Sequence, residues 1–457
     1  MRAKRVRSRR RRGSPKSPRF AWIGAIGWPV PTLLGVAFLL GGGGSRYGLL
    51  NLSVQLLALG LLVWLVHEAV ATWRARPIGL KVLVVATLAL PLLQLLPLPP
   101  AMWHALPGAE LAVTTRSLIG AEGGWYPLSN DPQRTLIAFA SLIPALAVIC
   151  LMPARHGAAQ MALRILVGLA LLNFVVGTLQ ILGNQNVLLP YPLIEEGRLY
   201  GLFASHNTSG LFFVIGLCAL YGVQWKDEAD TRERIGVALT GAVLVLGTIL
   251  TQSRSSNALL LVPLAAFALR ALQTRRKTGQ PIPRKYVSGA MALVVVLAVF
   301  GATNERIGQT LLRFEDLDDM RPEIWRDSWV ALQVFFPLGS GIGSFDEIFQ
   351  NFESLENVNP SYARRAHNDF LELGIETGIV GFLVMFGWMA WAALSWWRGR
   401  KCEEHREVDA SALALLAIAA QSVLDYPLRN QALLCLAALL IAVLAARSTR
   451  FLDGVRE

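Results

Sequence analysis

Charged residues are scarce in this chain of 457 residues. Asp, Glu, Lys and Arg make up 16% of it and hydrophobic residues 54%, whereas a soluble globular domain carries about 25% charged residues. The apolar residues occur in blocks long enough to cross the ~30 Å hydrocarbon layer of a bilayer. The composition therefore excludes an ordinary soluble protein and predicts that most of the chain folds inside a membrane.

Cysteine is rare as well, and the chain lacks the common cofactor motifs. Four cysteines are too few for a disulfide framework. No cluster of His, Cys and carboxylates has metal-ligand spacing, and there is no Gly-x-x-x-x-Gly-Lys-Ser/Thr phosphate loop. Asp316-Leu-Asp318 matches a two-aspartate metal pattern that is frequent by chance. We therefore expect no metal and no cofactor, and any bond made outside the cell must draw its energy from the donor.

The formal charge of +12 could indicate a nucleic-acid partner, but the position of the charge favours another role. Residues 1–19 are basic and directly precede an apolar block, where they would hold the N-terminus in the cytoplasm and contact anionic lipids. No Ala-x-Ala-like site follows that block, and further blocks come after it, so a cleavable signal peptide is not expected. We predict no nucleic-acid binding.

The apolar blocks predict an all-α polytopic membrane protein with about twelve transmembrane helices. The predicted spans are residues 20–40, 49–66, 80–97, 134–152, 163–182, 206–224, 235–251, 256–272, 287–302, 376–397, 410–424 and 431–446. With the N-terminus inside, 31 of the 43 Lys and Arg, including all seven lysines, lie on the inner side. This distribution satisfies the positive-inside rule and places both termini in the cytoplasm.

The predicted topology divides the chain into five regions. The only external connection long enough to fold as a cap lies between spans 9 and 10. The regions are a basic cytoplasmic tail (1–19), spans 1–9 (20–302), a large periplasmic loop (303–375), spans 10–12 (376–446) and a cytoplasmic C-terminal tail (447–457).

Within the large loop, Pro322 suits the first turn of a helix. Trp325, Trp329, Leu332 and Phe336 follow at the spacing i, i+4, i+7 and i+11. An apolar stripe with two tryptophans is typical of a helix that lies in the membrane interface.

Gly374, Gly378 and Gly381 lie further along, where the next span begins. Their spacing places small residues on one helical face, which predicts a close contact with another helix.

All 12 external positive charges are arginines, whose planar fork binds phosphate oxygens in pairs. Arg254 stands out because the corner Ser253-Arg254-Ser255 lies between two spans with almost no loop. A charge so close to hydrocarbon is costly unless it is paired. The alternative role is snorkelling to lipid headgroups, which is the favoured interpretation for Arg306 and Arg313.

His367 is the strongest candidate for a general base. It follows Arg364 and Arg365 and precedes Asn368 and Asp369, either of which can cap the next helix. A helix N-terminus favours a nearby phosphate, and a neutral imidazole accepts a proton near neutral pH. A lone histidine is more often structural, but flanking arginines at a membrane rim favour catalysis here.

Several motifs occur in the order found in one known family. They are Gly197-Arg198-Leu-Tyr-Gly201-Leu-Phe-Ala-Ser-His-Asn207, Ser253-Arg254-Ser255, Arg321-Pro-Glu-Ile-Trp325, Pro337-Leu-Gly-Ser-Gly341-Ile-Gly343, and Ala366-His367-Asn368 followed by Glu376-Thr-Gly378. In these motifs the chain resembles the O-antigen ligases and related Wzy-type polysaccharide polymerases, over most of its length after the tail. One departure is Ser205-His206-Asn207, where relatives usually carry Pro-Asn.

The resemblance implies a GT-C-type fold and a metal-independent glycosyltransferase of the bacterial inner membrane, with its active site on the periplasmic face. The implied donor is a glycan on undecaprenyl diphosphate. The resemblance also implies that His367 activates the acceptor hydroxyl and that Arg254 and Arg321 bind the donor diphosphate. Arg198 is a weaker match to the family motif. A base without an evident carboxylate nucleophile favours a single displacement with inversion. The secondary candidates are Arg364, Arg365 and Asn368.

Two alternatives remain open at this point. The acceptor could be lipid A–core, as for a ligase, or a growing glycan, as for a polymerase, and we lean toward the ligase. Outside enzymology, twelve spans also suit a transporter or a lipid-linked oligosaccharide flippase. A transporter is expected to carry ionisable residues at mid-span and two similar halves, whereas the charges here gather at the external rim.

Overall fold

The computed structural model describes residues 26–44, 46–155, 157–183, 191–192, 197–224, 231–278, 320–358, 364–401 and 405–454. These residues form a bundle of helices with one small β-sheet. The helices are α1 (Pro29–Leu40), α2 (Gly48–Trp64), α3 (Val66–Arg74), α4 (Ile78–Gln94), α5 (Pro100–Trp103), α6 (Ala109–Ser117), α7 (Pro132–Leu151), α8 (Ala158–Leu182), α9 (His206–Gly222), α10 (Thr231–Leu250), α11 (Arg254–Leu259), α12 (Leu261–Thr278), α13 (Arg321–Phe335), α14 (Phe345–Phe349), α15 (Asp369–Gly399), α16 (Arg406–Gln421) and α17 (Gln431–Gly454). Strands β1 (Pro97–Leu98) and β2 (Tyr126–Pro127) pair antiparallel, and a 3₁₀ turn spans Pro427–Arg429.

Every predicted span outside residues 279–319 coincides with a helix of the described structure. Five of the described helices are long and apolar enough to cross a membrane alone, and the pair α2–α3, bent by 84°, adds a sixth. The chain is thus a helical, multi-pass membrane protein. Twelve crossings and the placement of the large loop stay predictions, since span 287–302 and the tail 1–19 lie outside the described residues.

Helix α9 forms the centre of the bundle. It is buried along nearly its whole length and packs against α8, α10 and α16, as expected for a helix that is apolar all round. Small residues allow the close approach. A Cβ on Gly216 would overlap Ala170 of α8, and one on Gly222 would overlap Ala410 of α16, so these helices meet almost backbone to backbone.

The described part of the large loop has a small core of its own. Leu332 and Phe335 of α13 pack with Phe345 and Phe349 of α14 and with Ile375 of α15. This core fixes α13 against the N-terminal turns of α15, next to the turn that carries the predicted histidine.

Helix α13 is present as predicted, and its location in the membrane interface stays a prediction. Trp329 and Phe336 are 56% and 46% exposed, whereas Leu332 is buried. Trp325 is turned inward, and its indole Nε1 donates a hydrogen bond to the carbonyl of Ala366 at 2.9 Å. The residues of the stripe therefore differ in burial, from Leu332 in the small core to Trp329 and Phe336 at the surface. Apolar spacing identifies a helix, but not what covers each face.

Gly378 in α15 has another role than the predicted helix contact. Gly378 has φ +56° and ψ −144°, so it interrupts the helix instead of lining a helix–helix contact. The segment 337–343 packs into the break, where the N–H of Ser340 donates to the carbonyl of Ile375 at 2.9 Å. A Cβ on Gly378 would overlap the carbonyl of Pro337. Only glycine meets both demands, a left-handed φ and no side chain.

We expect Gly378→Ala to destabilise the protein clearly, because the left-handed conformation costs about 1–3 kcal/mol for a non-glycine residue and the new methyl group displaces the Pro337 carbonyl. The matched control is Gly168→Ala, at a helical position where a Cβ meets nothing within 4 Å. Thermal unfolding of the purified variants in detergent measures both. Equal midpoints for the two variants would show that the break does not need glycine.

Candidate active site

His367 lies in a turn that is fixed on both sides. The N–H of Ala366 donates to Oε2 of Glu372 at 3.1 Å, and the carbonyl of Ala366 accepts from Trp325. His367 itself has φ +48°, a left-handed conformation that histidine tolerates better than most residues. The turn therefore directs the imidazole away from the path of the chain.

Asn368 caps α15, as predicted. Its side-chain oxygen accepts from the N–H groups of Phe370 at 3.0 Å and Leu371 at 3.1 Å, which satisfies two of the donors that a helix start leaves free. The role of Asn368 is therefore to place His367 at the positive end of a helix.

The imidazole of His367 faces a carboxylate that the sequence reasoning missed. Its Nδ1 lies 3.6 Å from Oδ1 of Asp425, and the ring meets Tyr426 edge to face at 5.0 Å. Nδ1 is buried with no other partner among the described residues, and 3.6 Å is slightly longer than a hydrogen bond. The side chain is 33% exposed, so the opposite nitrogen, Nε2, remains available to a substrate.

The charge of Asp425 ties His367 to Arg321. Burial opposes ionisation of Asp425, but interaction with His367 and the charge of Arg321 outweigh it and hold the pKa of Asp425 below its usual value. Arg321 begins α13. The predicted base thus lies beside an ionised carboxylate on which the charge of a predicted phosphate-binding arginine also acts.

Arg254 is joined to the same region through the end of α16. Its neighbour Ser253 caps α11 by accepting from the N–H of Ser256 at 3.3 Å. Gln421, the last residue of α16, donates from Nε2 to Oγ of Ser255 at 2.9 Å. The Ser253-Arg254-Ser255 corner is therefore held by Gln421, which lies four residues before Asp425 in the chain.

Ser422, the residue after Gln421, connects this region to the start of α15. The backbone N–H of Asp369 donates to the carbonyl of Ser422 at 2.8 Å, and Oγ of Ser422 donates to Oδ2 of Asp369 at 3.0 Å. Residues 421–425 therefore contact the arginine corner, the start of α15 and the histidine in sequence.

Arg198 lies on the other side of the Ser253-Arg254-Ser255 corner. It is 5% exposed, and its Nη1 donates to Nε2 of His206 at 2.8 Å. Ser256 donates to the carbonyl of Asn207 at 3.2 Å, which connects the two segments. His206, which belongs to the segment that departs from the family pattern, is thus a direct hydrogen-bond partner of Arg198.

The two secondary arginines differ in their surroundings. Arg365 forms a 2.6 Å ion pair with Glu372, which is buried, so its charge already neutralises a carboxylate of the scaffold. Arg364 is exposed. The predicted candidates Arg306, Arg313, Asp316 and Asp318 lie outside the described residues.

Below the histidine turn, Arg429 holds together a buried ionic cluster that the sequence reasoning also missed. Its guanidinium lies 2.6 Å from Glu376, 3.3 Å from Glu372 and 3.8 Å from Asp369. Burial alone would lower the pKa of Arg429, but the carboxylates raise it well above its usual value. The three acids lie at i, i+3 and i+7 on α15. This spacing predicts that they share one helical face, but it does not predict which residue pairs with them.

Residues of this cluster also line a cavity of about 1400 Å³ that extends between the helices. Arg365, Asp369, Ser422 and Arg429 lie at one end of it, and its walls are mainly apolar. Among the described residues, no group of three or more His, Cys, Asp and Glu side chains could hold a metal ion.

A comparison with protein families finds one match. Residues 239–386 match the family described as O-antigen ligase, a stretch that includes Arg254, Arg321 and His367 but not Arg198 or Asp425. No curated protein matches the chain.

We expect Arg429→Met to destabilise the protein by about 3–5 kcal/mol, because it leaves buried carboxylates without a counter-charge. The control is Arg134→Met. Arg134 is 42% exposed and lies 3.5 Å from Asp346, so its loss costs about 0–1 kcal/mol. Thermal unfolding in detergent compares the two, and a small shift for Arg429→Met would show that the cluster is not needed for stability.

Proposed function

We propose that the chain is a membrane glycosyltransferase of the O-antigen ligase family, the family that residues 239–386 match. The proposed reaction moves a glycan from undecaprenyl diphosphate to an acceptor hydroxyl of lipid A–core or a similar molecule. It takes place on the periplasmic face of the bacterial inner membrane, with both termini in the cytoplasm. The observation that carries the proposal is that His367 lies 3.6 Å from the buried carboxylate of Asp425, on which the charge of Arg321 also acts.

The base in this proposal is His367. The Asp425 carboxylate lies 3.6 Å from Nδ1, and its negative charge favours the tautomer with the proton on Nδ1 and the lone pair on Nε2. The acceptor hydroxyl gives its proton to Nε2, and the oxygen forms a bond to the anomeric carbon. The imidazolium that results is stabilised by the Asp425 carboxylate.

The leaving group is the lipid diphosphate. As the bond between the anomeric carbon and its oxygen breaks, the diphosphate takes the electron pair, and nearby guanidinium groups stabilise the added charge. We assign this role to Arg254 and Arg321, and a supporting one to Arg198, which is already paired with His206. The departing group is thus competent without a metal, and a single displacement inverts the sugar carbon.

The same chemistry would serve a Wzy-type polymerase, since only the acceptor differs. We prefer the ligase because the matched family is described by that activity. An assay of the purified protein with a defined diphospholipid donor and two acceptors, lipid A–core and a lipid-linked glycan, distinguishes the two.

His367→Ala is expected to lower transfer by about 10²–10⁴-fold, the usual contribution of a general base, while insertion and thermal stability stay near normal. Transfer is measured with the purified variant and the diphospholipid donor. Near-normal activity would remove His367 from the mechanism.

The same assay includes a strong chelator. Wild-type transfer should survive it. Loss of activity with rescue by a divalent ion would instead return the Asp316 and Asp318 pair to consideration as metal ligands.

Trp325→Phe tests whether the histidine turn must be held in place. The change removes the hydrogen bond to the Ala366 carbonyl, worth about 1 kcal/mol, so we expect kcat to fall about fivefold. Trp329→Phe is the matched control, because Trp329 lies on the same helix and is exposed. Equal activity of the two variants would contradict a positioning role for Trp325.

A further inference from the structure

The cavity between the helices has a second polar end, far from His367. Tyr221, Arg270, Arg400, His405 and Asp409 line it there. Arg400 follows the last residue of α15, whose first turn adjoins His367. The part of α15 that follows the break at Gly378 runs to Gly399, and this stretch alone separates the two ends by about 30 Å, the thickness of a bilayer core.

Positive charge is in excess at this second end. Arg270 donates to the carbonyl of Tyr221 at 3.2 Å and lies over its ring at 5.6 Å. Arg400 pairs with Asp409 at 3.3 Å. Arg406 begins α16, the helix that also carries Asp409.

The carboxylates nearby do not balance these charges. Asp409 already accepts from Trp396 at 2.8 Å and lies 4.0 Å from His405. Glu407 is paired with Arg447 at 2.7 Å. Among the described residues, Asp409 therefore pairs with Arg400, whereas Arg270, at the same end of the apolar cavity, has no carboxylate partner.

Like charges held together beside hydrocarbon are costly unless an anion joins them. Phosphate suits guanidinium groups because its oxygens accept paired hydrogen bonds. Aromatic side chains mark the level of lipid headgroups here, since Arg400 lies 5.1 Å over Trp396 and Lys401 4.8 Å over Trp397.

We propose that this end of the cavity binds the phosphate of an anionic phospholipid through Arg270 and Arg400, with the acyl chains in the apolar part of the cavity. Basic pockets between transmembrane helices suit such headgroups. The site lies at the opposite end of α15 from His367, so it is separate from the proposed donor site and does not depend on the proposed reaction.

Delipidated protein in detergent is titrated with phosphatidylglycerol, and binding is measured by native mass spectrometry. The double variant Arg270→Gln/Arg400→Gln should bind about 25-fold more weakly, roughly fivefold for each arginine near a lipid headgroup. Arg398→Gln is the control, because Arg398 is exposed and does not line the cavity. Equal weakening by the control, or equal affinity of the wild type for phosphatidylcholine, would overturn the site.

A second pair of variants tests the acyl chains. Ala393 lines the cavity, whereas Ala390 is exposed on the same helix and does not. Ala393→Trp should weaken phosphatidylglycerol binding several-fold, and Ala390→Trp should leave it unchanged. Inorganic phosphate at equal concentration should not compete. Competition by phosphate, together with no effect of Ala393→Trp, would show an anion site without a lipid and would refute the proposal.

Discussion

The guanidinium of Arg429 is the counter-charge on which the end of the bundle that carries His367 depends. It lies against Glu372 and Glu376, both fully buried, and buried carboxylates without a partner are strongly destabilising. Glu372 also binds Arg365 and the N–H of Ala366. These ion pairs therefore hold three parts of the structure together. They are the turn after α16, the first turns of α15 and the segment that carries His367.

The break in α15 adds a second constraint. At membrane depth, backbone groups released from a helix need partners inside the protein. The segment 337–343 supplies them, since the N–H of Gly341 donates to the carbonyl of Glu376 and the N–H of Ile379 donates to that of Pro337, both at 2.9 Å. The break is stable because the glycine-rich segment fills it. It also locks α13 and α14 to the helix that starts at the histidine.

The sequence predicted the parts of this site that are conspicuous in an apolar chain. Arg254 and His367 stand out because polar groups are rare near the spans, and Asn368 follows from helix-capping rules. The partners could not be predicted in the same way. Asp425 and Arg429 lie more than fifty residues from the groups they contact, and no spacing rule connects them. A glycine such as Gly378 fits a close helix contact or a left-handed break equally well.

The structure also divides arginines that look alike in the sequence. Arg365 and Arg429 neutralise buried carboxylates, so little of their charge is left for a lipid diphosphate. In the proposed mechanism that work falls to Arg254 and Arg321. A displacement needs the base and the phosphate-binding groups at a fixed separation. Residues 421–425 contact the Arg254 corner at one end and His367 at the other. One short interhelical turn therefore sets the distance between proton acceptor and leaving group.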